Sequence, residues 1–464
     1  MGERLPGIDA GYLYMETPSQ HMHTLKIAIV DVSSVPGGYS FSALERELAR
    51  RLHLLPPFRR RLVQDPLRLH HPLWVEDPDF DLTQQLRHAT LDAPGGLEQF
   101  EDLVGRIAGR PLDRRRPLWE LWICEGFADG RIGIVTKVHH TVADGVAANA
   151  LLANVVDLSA PPPPAHVPPR LPSAPRLAAD SLLERLRLLV RLPALLVRTV
   201  RSLVALGRYR KQAAAEGRPA PPRPVLDTVN VSFNGALTPR RSFATATLSL
   251  EAAKKVKSAH GVTLNDVVLG VVAGALCRWM EDSGERPARS LTAGIPVVTD
   301  PKDAPPRLGG NRVSNMFTTL ATDVADPVAR LQRISEVTRE AKQVQAILGL
   351  DMLERWVEHT PPLPFAAFMR TYSRLRLADR HPAPFNVVVS NVPGPTREIS
   401  IAGARLTDVF SVGPLMEGIA LNVTVWSYQD RLAFSVLACP DTLPDVRAIS
   451  RHLAPALDEL LATA

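Results

Sequence analysis

The stretch that decides the fold is Lys137-Val138-His139-His140-Thr141-Val142-Ala143-Asp144-Gly145. The apolar alternation of Ile132–His139 predicts a β-strand that ends at the paired histidines. A neutral imidazole accepts a proton from an alcohol near neutral pH, so His140 is the candidate general base. Asp144 follows within a short turn, where its carboxylate can fix the local backbone, pair with an arginine or orient the imidazole, and we favour a supporting role over proton transfer. Gly145 removes side-chain bulk beside the reacting groups.

The same histidines have two other interpretations. They could be core or strand-edge side chains that are satisfied by hydrogen bonds. They could also be metal ligands, with His21 and His23 or His70 and His71 completing the shell. Adjacent residues of a strand point to opposite faces, which argues against one metal held by both His139 and His140. We therefore expect no metal site.

Strand and helix patterns alternate on both sides of this stretch, which predicts a mixed α/β (α+β) chain of two lobes. Strands are predicted at Thr24–Val32, Leu118–Phe127, Ile132–His139, Ser242–Ser249, Ser290–Val297, Phe385–Ser390, Ala420–Ser427 and Arg431–Ala438. Helices are predicted at Ser42–Leu55, Leu97–Gly109, Gly145–Leu158, Asn265–Met280, Pro327–Gln345 and the C-terminus. We divide the chain into an N-terminal lobe (1–159), a linker with a crossover helix (160–225) and a C-terminal lobe (226–464).

The linker combines two proline-dense segments, Pro161–Pro175 and Pro219–Pro224, with the segment Arg176–Lys211 between them. Leucine and valine recur in that segment at helical spacing among many arginines, which predicts a basic amphipathic helix that bends at Pro193. Such a helix can lie in a membrane interface. It can equally be a crossover helix that packs on the lobes with solvated arginines.

Composition narrows the classes of function. The chain has 464 residues, 45% hydrophobic and 22% charged, as globular proteins have. The net charge of +6 allows a phosphorylated substrate or an anionic membrane surface, but the 5% aromatic content offers no stacking platform for nucleic acid. Neither a leader nor a membrane span is evident, so we expect a cytoplasmic protein, peripheral at the inner membrane or lipid droplets if the basic helix binds lipid. The sequence leaves the oligomeric state open.

A family resemblance is carried by the pattern His139-His140-x-x-x-Asp144-Gly145, which is similar to that of coenzyme-A-dependent acyltransferases and of peptide-synthetase condensation domains. Further matches resemble the bacterial wax ester synthase/diacylglycerol acyltransferase family in particular. They are Pro117-Leu118-Trp119, Asn265-Asp266, Ile8-Asp9-Ala10, Gly310-Asn311-Arg312-Val313 and Ser390-Asn391-Val392-Pro393-Gly394-Pro395. The likeness spans nearly the whole chain.

The resemblance implies two chloramphenicol-acetyltransferase-like lobes with a central tunnel, acyl-CoA as co-substrate, and diacylglycerol or a long-chain alcohol as acceptor. No cofactor is implied. His140 resembles the general base, His139 its motif partner, and Asp144 and Gly145 structural supports. Asn265 and Asp266 also matter in that family, although their residue types alone predict a capped helix start. The segment Pro117-Leu118-Trp119 would support the substrate site.

Two alternative functions remain at this point. A related acyltransferase could use another acceptor, such as a glycolipid or polyketide alcohol, because the motif specifies the chemistry and not the pocket. A lipid-binding protein at a membrane surface could also retain the fold with little or no turnover.

Overall fold

The computed structural model describes residues 2–35, 37–145, 147–148, 151, 173–301 and 307–464. In this part of the chain the strands are β1 (Glu3–Arg4), β2 (His23–Asp31), β3 (Arg60–Val63), β4 (Leu73–Glu76), β5 (Leu86–Thr90), β6 (Trp119–Glu125), β7 (Ile132–His139), β8 (Ser242–Ser249), β9 (Thr292–Val298), β10 (Val313–Thr319), β11 (Val387–Val392), β12 (Ser400–Ile401), β13 (Ala404–Val412), β14 (Leu421–Tyr428) and β15 (Arg431–Ala438).

The α-helices of the described residues are α1 (Gly7–Met15), α2 (Phe41–Arg51), α3 (Leu97–Ala108), α4 (Ala174–Ala215), α5 (Leu250–His260), α6 (Leu264–Ser283), α7 (Pro327–Leu348), α8 (Met352–Val357), α9 (Pro362–Arg374) and α10 (Val446–Leu461). The predicted strands at 132–139, 242–249 and 431–438 agree with the structure to the residue. Most of the predicted helix Gly145–Leu158, the segment Pro161–Pro164 and most of the first proline-dense segment lie outside the described residues, although 145, 147–148 and 151 are described and are helical.

Two six-stranded mixed sheets form the two lobes, which confirms the predicted mixed α/β class. The first sheet has the order β12-β13-β2-β7-β6-β5 and the second β10-β9-β11-β14-β15-β8. A small third sheet has the order β1-β4-β3, and its strands come from the same N-terminal part of the chain as β2 of the first sheet. Helix α6 is apolar on nearly every side, as a helix that is covered on all sides must be, and contributes to the core of the second lobe.

The lobes share a core. Alternate residues of β2, Leu25, Ile27 and Ile29, pack with Phe100 of α3 and with Phe243 of β8 in one apolar cluster. Because side chains of a strand alternate between faces, the intervening β2 residues face the other side of the first sheet. This second face forms the wall of the cavity described below.

Sheet membership does not follow chain order. Residues 400–412, which we assigned to the C-terminal lobe, form β12 and β13, and β13 pairs antiparallel with β2 of the first sheet. The strand has a register shift between Leu406 and Asp408. The bulge interrupts the alternation of apolar and polar residues, which is why β13 is absent from the predicted strands.

Helix α4 covers the predicted basic segment and runs through Pro193 as one helix of 42 residues. It packs on α7 and α8 through a single side that includes Leu195 and Leu206. No single helix in the described ranges is long and apolar enough to cross a membrane. Helices α5 and α6, which are bent by 105° against each other, together have the length and the apolar composition of a membrane span.

Candidate active site

His139 is the last residue of β7, and its ring lies on the side of the sheet opposite the cavity. Its backbone N–H donates to the Leu118 carbonyl at 2.9 Å. Its Nδ1 accepts the Thr141 N–H at 3.1 Å, so the ring proton is on Nε2, which lies 3.7 Å from Glu16 Oε2. Burial lowers the pKa of His139, and the ring is therefore neutral at pH 7. These contacts hold the end of the strand.

Glu16 organises a buried cluster behind the motif. Its carboxylate accepts from Arg114 Nε at 2.7 Å and lies 3.5 Å from His23 Nε2. Burial opposes ionisation of Glu16, but the nearby rings of His139 and His23 and the charge of Arg114 hold its pKa below the ordinary value. The Arg114 guanidinium therefore donates its hydrogen bonds to Glu16 and to the Leu13 carbonyl. Within the described residues no group of three or more His, Cys, Asp or Glu side chains could hold a metal ion.

His140 points away from that cluster. Its backbone N–H donates to the Met22 carbonyl at 2.7 Å, and its ring stacks on Tyr12 with 4.3 Å between centroids and 25° between planes. Nδ1 is buried without a hydrogen-bond partner among the described residues. Burial lowers the pKa of His140 to about 4, against the opposing effects of its own carbonyl and Asp144. The imidazole is neutral at pH 7 and free to accept a proton.

Asn311 connects His140 to helix α1. Its Nδ2 donates to the His140 carbonyl oxygen and to Asp9 Oδ1, both at 2.6 Å. Burial raises the pKa of Asp9 to about 8, despite the hydrogen bond from Asn311. The Thr141 hydroxyl donates to the Asp9 carbonyl at 2.8 Å. The two segments containing Asp9 and Asn311, known from sequence only as points of family likeness, thus meet at the backbone of His140.

Asp144 is buried and turned toward the chain that follows β9. Its Oδ2 accepts from Arg307 at 2.7 Å and from the Arg312 N–H at 3.0 Å. Its Oδ1 accepts the Ala147 N–H at 2.9 Å, as a helix-capping carboxylate does. Arg307 also pairs with Asp300 at 2.7 Å. Both oxygens of Asp144 are thus occupied by structural partners. Residues 302–306, between Asp300 and Arg307, lie outside the described residues.

Gly145 lies at the contact between the motif and the second sheet. A β-carbon on Gly145 would lie 3.4 Å from Cγ2 of Val392 at the end of β11, an ordinary van der Waals distance. A methyl group therefore fits there, whereas a longer side chain has to displace β11.

The segment Pro117-Leu118-Trp119 lies beside the motif on the neighbouring strand. Trp119 pairs with Val138 in the antiparallel register of β6 and β7. Its indole N–H donates to the Phe58 carbonyl at 2.8 Å, and the two rings stack at 4.7 Å. Trp119 lines the cavity, so the segment contributes both to the strand end and to the cavity wall.

Asn265 and Asp266 start α6. The Thr263 hydroxyl accepts the Asp266 N–H at 3.2 Å, and Asp266 Oδ2 accepts the Thr263 N–H at 2.9 Å, which is a reciprocal capping box. Ser335 of α7 donates to the same carboxylate at 3.2 Å. Within the described part of the chain neither Asn265 nor Asp266 bonds to the histidine motif.

A mainly apolar cavity lies on the other face of the first sheet, between the sheet and α2. Val138 and Ala143, on either side of His140 in sequence, both line it. Its walls further include Ala28, Leu48, Leu121, Ile134, Val409 and Trp426. The cavity and Tyr12 were not predicted, because each depends on elements that meet only in the folded chain.

The family model for the wax ester synthase/diacylglycerol acyltransferase catalytic domain matches residues 5–268, and the model for the C-terminal domain of the same family matches residues 309–461.

The chain belongs to the wax ester synthase/diacylglycerol acyltransferase family.

Relatives in this family carry acyltransferase names. A putative diacylglycerol O-acyltransferase of Mycobacterium tuberculosis is 38% identical over 450 residues, covering 97% of this chain and 93% of the relative. Another from the same species is 36% identical and covers 99% of this chain and 90% of the relative. The predicted family and acyltransferase class of enzyme are confirmed.

Solved structures agree with the fold. The wax ester synthase/diacylglycerol acyltransferase of Marinobacter aquaeolei VT8 superposes with a TM-score of 0.65 at 27% identity and 98% coverage of both chains. The first condensation domain of the CDA synthetase gives a TM-score of 0.60 at 17% identity, covering 100% of this chain and 96% of that one, and shows a common fold. The predicted chloramphenicol-acetyltransferase-like lobes are confirmed. The central tunnel stays a prediction.

Proposed function

We propose that this family member transfers a long-chain acyl group from acyl-CoA to the hydroxyl of a lipid alcohol, diacylglycerol or a long-chain fatty alcohol, with His140 as general base. The reaction needs no cofactor beyond the acyl-CoA co-substrate. His140 takes the hydroxyl proton, and the alcohol oxygen attacks the thioester carbon. The carbon–sulfur bond then breaks, the thiolate of coenzyme A takes the proton, and the neutral imidazole is restored.

The neutral, half-buried ring of His140, whose Nδ1 is left without a hydrogen-bond partner among the described residues, is the observation that carries this proposal. Burial holds its pKa at about 4, and Nδ1 has no hydrogen-bond partner among the described residues. His139, by contrast, has one nitrogen bonded to Thr141 and the other turned to Glu16. Of the two adjacent histidines, only His140 has a ring nitrogen, Nδ1, that is free to accept a proton, because Nδ1 of His139 already accepts the Thr141 N–H.

The remaining site residues support this ring. Tyr12 stacks on it, Asn311 holds its carbonyl, and Asp144 fixes the turn that follows. The apolar cavity reaches Val138 and Ala143 beside the motif, which supports a lipid chain as part of the substrate. We assign Asn265 and Asp266 to the start of α6, where they act on the reaction only through the fold.

Coenzyme A release from palmitoyl-CoA, with dioleoylglycerol or hexadecanol as acceptor, tests the proposal. We expect acceptor-dependent release by the wild type and a loss of about 10²–10⁴-fold in His140→Ala. The matched control is His88→Ala, which removes an exposed histidine of β5 and should retain activity. Equal activity of the folded His140→Ala protein and wild type would contradict the assignment of His140 as general base. No turnover by wild type with either acceptor would favour another acceptor or a lipid-binding role.

We also propose that α4 binds a membrane or lipid-droplet surface. The side of the helix away from α7 carries exposed apolar side chains in heptad spacing, with leucine at 182, 189, 196 and 203. The full exposed stripe comprises Leu182, Leu183, Leu186, Leu189, Val190, Leu196, Val197, Val200, Leu203 and Val204. An apolar stripe of this length on a solvent-exposed surface marks an interaction site.

The charges beside the stripe favour a lipid partner over a second copy of the chain. At 100° per residue, arginines follow one edge of the stripe, among them Arg187, Arg191, Arg201 and Arg208. Two stripes packed together would bring two such rows of like charge close to each other. Anionic headgroups would instead neutralise the row while the leucines enter the acyl region.

Flotation with vesicles that contain anionic phospholipid tests the second proposal. We expect the bound fraction to fall about tenfold or more in Leu189→Gln/Leu196→Gln/Leu203→Gln. The control, Leu67→Gln/Leu226→Gln/Leu353→Gln, removes three exposed leucines elsewhere and should float like wild type. Equal flotation of the stripe variant and wild type would contradict the proposal. Concentration-dependent dimerisation that the stripe variant abolishes would replace it with self-association.

A further inference from the structure

A row of polar side chains crosses the cavity wall of the first sheet. Lys26 of β2 lies directly opposite Thr136 of β7 on one side and Ser411 of β13 on the other. Side chains in direct register on neighbouring strands project from the same face of a sheet. Lys26 and Thr136 both line the cavity, and Lys26 Nζ donates to Ser411 Oγ at 2.6 Å. Among the neighbouring positions on this face, Ala28, Ile134 and Val138 are apolar, and Thr24 carries the nearest other hydroxyl.

The ammonium group in this row has no anionic partner. No carboxylate among the described residues lies within 4.0 Å of Lys26 Nζ, whose contacts are the neutral Ser411 hydroxyl and the face of the Trp426 ring, 4.7 Å away. The other charges of the cavity wall, Glu47 and Arg51, pair with each other at 2.6 Å. Burial lowers the pKa of Lys26 to about 8, against the opposing charge of Asp144, so the amine is charged at pH 7.

A charge held in an apolar environment is costly unless an opposite charge joins it. We propose that this cavity is a binding site for a free long-chain carboxylate, with the carboxylate bonded by Lys26, which Ser411 holds in place, and by the hydroxyl group of Thr136. The aliphatic chain lies along the apolar walls, between Leu48 and Leu121. An uncharged chain alone would fill the cavity and leave the ammonium without a counterion.

The polar row is separated from the proposed reaction centre. Thr136 precedes His140 by four residues on an extended strand, which is about 14 Å at 3.4 Å per residue. This spacing places the polar row and its bound carboxylate at a different backbone position from His140. Neither acyl-CoA nor a lipid alcohol carries this headgroup, so the inference stands independently of the proposed reaction. A free fatty acid bound here would occupy space beside Val138 and Ala143, next to the base.

Binding measured without acyl-CoA tests the inference. Isothermal titration of the full chain with dodecanoate and with dodecanol, both below aggregation, compares two ligands of equal chain length. We expect dodecanoate to bind wild type about tenfold more tightly, the size expected for a hydrogen bond to a charged group. Equal or weaker binding of dodecanoate by wild type would overturn the inference without any variant, and would leave the proposed acyl transfer untouched.

Variants identify the group responsible. Lys26→Met keeps the length of the side chain and should abolish the preference for dodecanoate while leaving dodecanol binding within about twofold. Lys26→Arg should retain the preference, and Lys257→Met, which removes a charge from the exposed side of α5, should behave as wild type. Quenching of Trp119 and Trp426 emission by 12-bromododecanoate locates the ligand, since both indoles line the cavity. An undiminished preference in Lys26→Met, or quenching unchanged in Trp426→Phe/Trp119→Phe, would refute the site.

Discussion

The side chain of Asn311 donates a hydrogen bond of 2.6 Å to the carbonyl oxygen of His140, across 171 positions of sequence. The same nitrogen bonds Asp9 at 2.6 Å. The backbone of the proposed base is thus held by the segment that leads into β10 and, through Asp9, by helix α1. The imidazole depends for its position on parts of the chain from both lobes.

Asn311→Ala should lower kcat more than it raises KM, because it displaces the base without touching the lipid-chain cavity. It should also lower the free energy of unfolding by about 1–3 kcal/mol, since it leaves the buried oxygens of Asp9 and His140 without their donor. Steady-state coenzyme A release and urea denaturation measure the two effects. The control, Asn265→Ala, changes an asparagine that does not bond to the motif. A change confined to KM would contradict the positioning role.

Asp144→Ala should destabilise the protein by about 3–5 kcal/mol, because it leaves the partly buried Arg307 without one of its two carboxylates and removes a helix cap. The distance between Asp144 and Arg307 is 2.7 Å. Urea denaturation of Asp144→Ala, Arg307→Ala and the double variant gives their coupling energy. A coupling energy near zero would argue against Asp144 as a structural support through this pair. Asp300→Ala is the comparison, since it removes only the second, more exposed partner.

Much of the local structure could be predicted because its causes are local. The alternation of Ile132–His139 predicts β7, and Thr263 with Asp266 predicts the capped start of α6. The paired histidines at the end of that strand indicated His140 as the base, and the resemblance to the family pointed to the same residue. The features that could not be predicted from the sequence depend on contacts between residues far apart in the chain. The addition of β13 to the first sheet and the stacking of Tyr12 on His140 join residues that no local pattern relates. The register of Lys26 with Ser411 is of the same kind.

Gly145 should accept alanine and reject larger side chains. The nearest atom to an added β-carbon is 3.4 Å away on Val392, so Gly145→Ala should keep most of the activity. Gly145→Leu has to push β11 away from the motif and should lower kcat/KM by at least about tenfold, with a loss of stability of about 1–3 kcal/mol. Combining Gly145→Leu with Val392→Ala should restore part of both. Failure of Val392→Ala to rescue, with Gly145→Leu still folded, would place the steric conflict elsewhere.

The pH dependence of kcat/KM should report the environment of His140. A general base works when it is unprotonated, and burial lowers the pKa of this imidazole to about 4, so protonation of His140 should reduce the rate only as the pH falls through about 4. An unperturbed histidine would instead lose activity below about pH 6.5. Coenzyme A release should be followed from about pH 3 to 8, with circular dichroism at each pH to separate inactivation from acid unfolding. Tyr12→Leu, which removes the stacked ring and admits water to the imidazole, should move the acidic limb upward toward 6.5. A wild-type inflection already at 6.5 in the folded protein would mean that the titrating base is another group or that His140 is solvated in the working enzyme.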